Sequence, residues 1–102
     1  MADRWLPIRY RDFWDVPRLL VVETGDRVLL LDSAFDDVLD EFSPEYSVYD
    51  LPALALASAG HDWRYLSQGG RLLGKIRVSD VTFDDTRRNA ILETSIRRFL
   101  SE

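Results

Sequence analysis

The sequence contains no cysteine. That excludes disulfides, thiol nucleophiles and thiolate metal sites, and it fits a reducing compartment. Long apolar runs are missing too. The longest, "LPALALASAG" and "RVLLLD", are far too short to span a bilayer. The opening "MADRWLPIRY" lacks the apolar stretch of a secretory signal. The expectation is a cytoplasmic protein with no membrane contact. No internal repeat, low-complexity run or linker interrupts the 102 residues, so one domain over residues 1–102 is expected.

Positive charge is absent from one third of the chain. Residues 32–62 hold eight acids and no lysine or arginine. Residues 1–31 balance five acids against five arginines, and residues 63–102 carry eight basic residues against five acids. The net charge of −5 argues against nucleic acid, since an acidic chain is repelled by phosphate. The acidic middle asks instead for a basic partner, or for the chain's own basic C-terminal part.

What is present reads as mixed α and β. In "LPIRYRDF", Ile8 and Tyr10 alternate with Arg9 and Arg11, the period of a half-buried strand. Pro7 suits the strand's start or an edge. Leu19–Val22 and Val28–Leu31 flank Gly25-Asp26, a two-residue turn signal. That register sets Leu20 opposite Leu31, Val22 opposite Leu29 and Glu23 opposite Val28. Both strands are apolar on both faces, so this hairpin should be covered on both sides. A second copy of the chain is the alternative cover, which would make a homodimer.

"EYSVYDL" and "RLLGKIRV" alternate as strands, the latter with Leu72, Gly74, Ile76 and Val78 inward and Arg71, Lys75 and Arg77 outward. "SDVTFD" suits another short strand. "PALALASAG" has Pro52 at a permitted first-turn position and Gly60 at its C-terminal end, which predicts a short helix. Leu92, Ile96, Phe99 and Leu100 keep helical spacing. Glu93 near the start and Arg97 and Arg98 near the end complement the helix dipole, with Glu93–Arg97 an i,i+4 pair. The predicted fold is α+β. It is a small curled antiparallel sheet or open β-barrel with two or three short helices, the C-terminal helix packed on it; a flatter α+β sandwich is the alternative.

The stretch "DSAFDDVLDEF", Asp32 to Phe42, carries the strongest functional signal. Phe35, Val38, Leu39 and Phe42 stand at i, i+3, i+4 and i+7, which predicts a short helix. Ser33 and Asp36 resemble a capping box, and Pro44 ends the helix. Asp36, Asp37, Asp40 and Glu41 then form its outer face. Asp36 and Asp40, at i,i+4, repel one another. Continued by Glu45, Tyr46, Tyr49 and Asp50, this face is the candidate partner-binding surface. No metal is expected there, because a calcium loop needs alternate ligands and a central glycine.

Other signals are weaker. His61-Asp62 holds the only histidine, and a His–carboxylate pair can orient a base. No nucleophile stands near it in a recognisable motif. Trp5, Tyr10, Phe13 and Trp14, interleaved with Arg4, Arg9, Arg11 and Arg18, read first as core, then as a peptide contact, and last as a base-stacking surface. Gly69 to Lys75 gives G-x-x-x-x-G-K, but Ile76 follows where a phosphate loop needs Ser or Thr. The functional expectation is a non-enzymatic interaction module, inhibitor- or immunity-like or an adaptor, that offers an acidic face to a basic protein. A small ligand-binding or hydrolytic enzyme built on His61 and nearby carboxylates is the alternative. No cofactor is expected.

Overall fold

A computed structural model of the chain describes residues 4–13, 16–24, 27–60, 62–63, 65–84 and 89–100. Trp14, the Gly25-Asp26 turn, His61, Arg87 and Arg88 lie outside the described residues. The elements in chain order are strands β1 (Trp5–Phe13), β2 (Pro17–Thr24), β3 (Arg27–Asp32), β4 (Phe35–Asp36), β5 (Glu41–Phe42) and β6 (Glu45–Leu51). Helix α1 (Ala53–Ala59), β7 (Arg71–Arg77), β8 (Ala90–Leu92) and helix α2 (Glu93–Leu100) follow. Short 3₁₀ turns at Leu66–Gly69 and Val78–Asp80 flank β7.

Six strands form one antiparallel sheet in the order β7-β6-β3-β2-β1-β8, and β4 and β5 pair apart from it. β7 and β8 are two edges, so the sheet does not close into a barrel. The β2–β3 ladder has the register expected from its turn: Leu20 faces Leu31, Val22 faces Leu29 and Glu23 faces Val28. β1 changes neighbour along its length. Trp5–Pro7 pair with β8, and Ile8–Phe13 pair with β2. Pro7 sits at that change, where its missing donor is tolerated.

The central hairpin is covered on both faces, as its apolar runs require. Leu20, Val22, Leu29 and Leu31 point into a core with Ile8, Tyr46, Val48, Ile76, Ile96 and Phe99, under α2. Val21, Val28 and Leu30 point the other way, against Leu51 of β6, Leu56 of α1, and Trp63 and Leu66 of the segment after it. The result is three layers, with the sheet between α1 and α2. Tyr46 is fully buried, and its hydroxyl donates to the Pro17 carbonyl at 2.5 Å. That bond meets the polar need of an otherwise apolar position.

Several sequence expectations change. Val48 pairs with Gly74 but Tyr49 with Leu72, so Leu73 bulges out of the β6–β7 ladder. The bulge resets the alternation: Leu73 packs on the α2-side core, and Leu72, expected inward, is exposed. "SDVTFD" forms a 3₁₀ turn and an isolated bridge from Phe83 to Ile91 rather than a strand, while β8 forms where no strand was expected. Helix α2 does start at Glu93, and the Glu93 carboxylate also accepts from Arg4, the residue before β1, Nε to Oε2 2.6 Å. Trp5, Tyr10 and Phe13 are exposed, not core. The core positions of β1 are Leu6 and Ile8. Trp5 and Phe13 fall on the α1 side, and there Arg11 stacks on Trp63, its Cζ 4.2 Å from the ring centroid.

Candidate functional site: an acidic hairpin arm

The span Phe35–Phe42 is not a helix. It is a two-stranded arm, β4 and β5, joined by a turn at residues 37–40. The helical spacing has another cause. Phe35 and Phe42 are register partners seven residues apart, and their rings meet edge-on at 5.0 Å. Val38 and Leu39 occupy the turn between them and point to solvent, 92% and 65% exposed. The capping signal is real but belongs to Asp36, not Ser33. One Asp36 carboxylate oxygen accepts the Val38 and Leu39 amides at 2.9 and 3.2 Å. Those are the bonds an N-cap makes, used here to close a turn. Asp40 then takes φ +55°, a left-handed conformation that aspartate tolerates better than most residues.

The arm springs from a fixed base between β3 and β6. Ser33 is buried. Its amide donates to the Arg18 carbonyl at 2.7 Å, and its hydroxyl donates to the Ser43 carbonyl at 2.8 Å. Arg18 Nη1 in turn donates to Ser33 Oγ at 3.2 Å, and its guanidinium lies 5.0 Å over the Phe42 ring. The Ser43 amide donates to Ala34 at 2.7 Å, and Ser43 Oγ accepts the Glu45 amide at 3.1 Å. A base tied this often holds the arm at one angle to the sheet.

The expected acidic surface is split by this geometry. Asp36, Asp37, Asp40 and Glu41 are all exposed and remain together on the arm. Glu45 begins β6, across from Arg77. Tyr46 is core and cannot meet a partner, because its ring lies inside the α2-side cluster. Tyr49 is half-buried against the α1-side cluster. Asp50 lies at the far end of β6, between Arg27 at 3.6 Å and Arg71 at 3.8 Å. Period-two alternation along β6 already separates Tyr46 from Tyr49, and a strand's length separates Glu45 from Asp50.

Sequence reasoning missed the roles of Val38 and Leu39, which it assigned to a buried face. The signal was there: an aromatic pair closing a turn whose first residue is aspartate. Chemically the arm offers hydrogen-bond acceptors, negative charge and two apolar tip residues. Asp36 and Glu41 are direct cross-strand partners, and like charges so placed are unfavourable. No protein-family model, curated protein or solved structure matches this chain.

Proposed function

We propose that the protein is a non-enzymatic interaction module that docks its acidic arm on a basic protein, in the manner of an inhibitor, an immunity protein or an adaptor. One observation carries this reading. Four carboxylates surround two solvent-facing apolar side chains at the tip of an arm whose base is rigidly held. The Val38 and Leu39 side chains pack on nothing, and their exposure beside the carboxylates is a cost to the free chain. The carboxylates would speed encounter and select a positive surface. Burying a valine or leucine side chain contributes roughly 1.5–3 kcal/mol, so the tip would supply much of the affinity.

The test is capture from lysate of the source cell at low and high salt, with wild type and with the double variant Asp37→Lys/Asp40→Lys. The reading expects basic proteins retained by wild type at low salt, lost at high salt and lost by the variant. The same proteins retained by both chains at both salt levels would refute it.

A further inference from the structure

Helix α1 is apolar nearly all round. Its residues, ALALASA, carry no charge, and Ser58 is the only polar side chain. Leu56 is buried against the sheet and Ala55 and Ala59 are half-buried, while Ala53, Leu54, Ala57 and Ser58 face out. Helix α2 has the outer face a surface helix normally has, with Thr94, Arg97 and Arg98 exposed. A helix that is apolar on both sides belongs inside a structure. Here the sheet covers one side of α1, and the other is bare.

The bare side extends past the helix. Leu54 is 79% exposed, Tyr65 65% and Leu72 54%. Tyr65 precedes the 3₁₀ turn Leu66–Gly69, which packs against α1; a Cβ on Gly69 would lie 3.5 Å from Ala55 Cβ. Leu72 is the cross-strand partner of Tyr49, so it shares the α1 face of the sheet. Three large apolar side chains thus stand exposed in one layer. We propose that a second copy of the chain covers this layer, with α1 packed on α1 in antiparallel orientation about a two-fold axis.

Size, charge and the helix ends all select a second copy. Leu54 projects, and Ala57, its i+3 neighbour on the outer face, leaves a hollow. A two-fold axis between them sets Leu54 of each copy over Ala57 of the other, so the face matches itself as an isologous contact requires. The helix presents none of the charge of a chain at −5, so two copies meet there without bringing like charges together. Arg71 stands beside Pro52 and Ala53 at the start of α1, and Asp62 follows its end, with its amide on the Ala59 carbonyl at 3.0 Å. Antiparallel pairing brings these opposite signs together at both ends. Each also has a partner in its own chain, so they set direction more than strength. A helix of this length spans only about 10 Å, so the contact is smaller than a permanent interface and the dimer is weak. It uses none of the arm's residues.

The test is sedimentation equilibrium of the full chain from low micromolar to near-millimolar concentration, at low and high salt. A monomer–dimer equilibrium that high salt does not weaken is expected, because screening relieves the repulsion between two acidic chains. Docking through the arm has the opposite salt dependence, so the two readings fail separately. Leu54→Ser should weaken the dimer by about a hundredfold, since each dimer loses two leucine contacts. Its urea midpoint should match wild type, because Leu54 packs little within its own chain. Ala57→Leu adds apolar surface but fills the hollow, and should weaken the dimer by about tenfold. A surface that is merely adhesive would be strengthened by it. A chain that stays monomeric throughout, a dimer lost at high salt, or a dimer strengthened by Ala57→Leu would overturn the proposal. A monomer that instead co-sediments with neutral phosphatidylcholine vesicles would overturn it in favour of a lipid surface.

Discussion

Tyr46 illustrates how a single side chain changes meaning with its surroundings. It lies in the acidic third of the chain and carries a polar hydroxyl, the profile of a contact residue. Its neighbours on β6 make it core, and its hydroxyl satisfies the Pro17 carbonyl from inside. Tyr46→Phe keeps the ring and removes this one hydrogen bond, which costs about 0.5–1.5 kcal/mol. Urea denaturation should show that loss as a lower midpoint with an unchanged slope. Asp36 makes the converse point. A carboxylate that a charge count assigns to a partner is already bonded to two amides of its own turn.

At the scale of the element, the arm is a short hairpin with internal conflict. The Phe35–Phe42 pair and the Asp36 bonds hold it closed, and the facing charges of Asp36 and Glu41 push it open. Asp36→Ala removes the turn's acceptor and should destabilise the arm by about 0.5–2 kcal/mol, the range of a lost cap. Native-state hydrogen exchange at Val38 and Leu39 should then quicken, with little change in global stability. Glu41→Lys turns a repulsive cross-strand pair into an attractive one and should slow the same exchange, by the equivalent of about 0.2–1 kcal/mol. Acceleration by Glu41→Lys would show that the like-charge pair does not govern the arm.

For the whole molecule, the decisive feature is the sheet covered on both faces. Leu29 and Leu30 are adjacent and point to opposite cores, yet both are fully buried. Leu29→Ala and Leu30→Ala should each cost about 2–5 kcal/mol in chemical denaturation, the range for large cavities in a packed interior. A sheet with one wet face would give one large and one small value. The ends of this sheet are also unlike. One end carries the arm and its four exposed acids, and the other carries Arg27 and Arg71 on either side of Asp50. The charge asymmetry along the chain thus becomes partly an asymmetry in space.

Local pattern alone determined the parts whose physics is local. The β2–β3 register follows from turn length and from matching apolar runs, and the α1 and α2 boundaries follow from Pro52, Gly60 and Glu93. The demand for cover on both sides of the hairpin was equally legible, because Val28–Leu31 leaves no polar face. Tertiary structure decided the rest. A spacing of three, four and seven residues fits a helix and also fits a tight hairpin whose flanks pair across its turn. Only the absence of a wall for Val38 and Leu39 selects the second. The β7 bulge, the β8 edge and the meeting of Arg27 with Asp50 and Arg71 depend on residues far apart in sequence. No periodicity within one segment encodes which distant side chains the sheet will bring together.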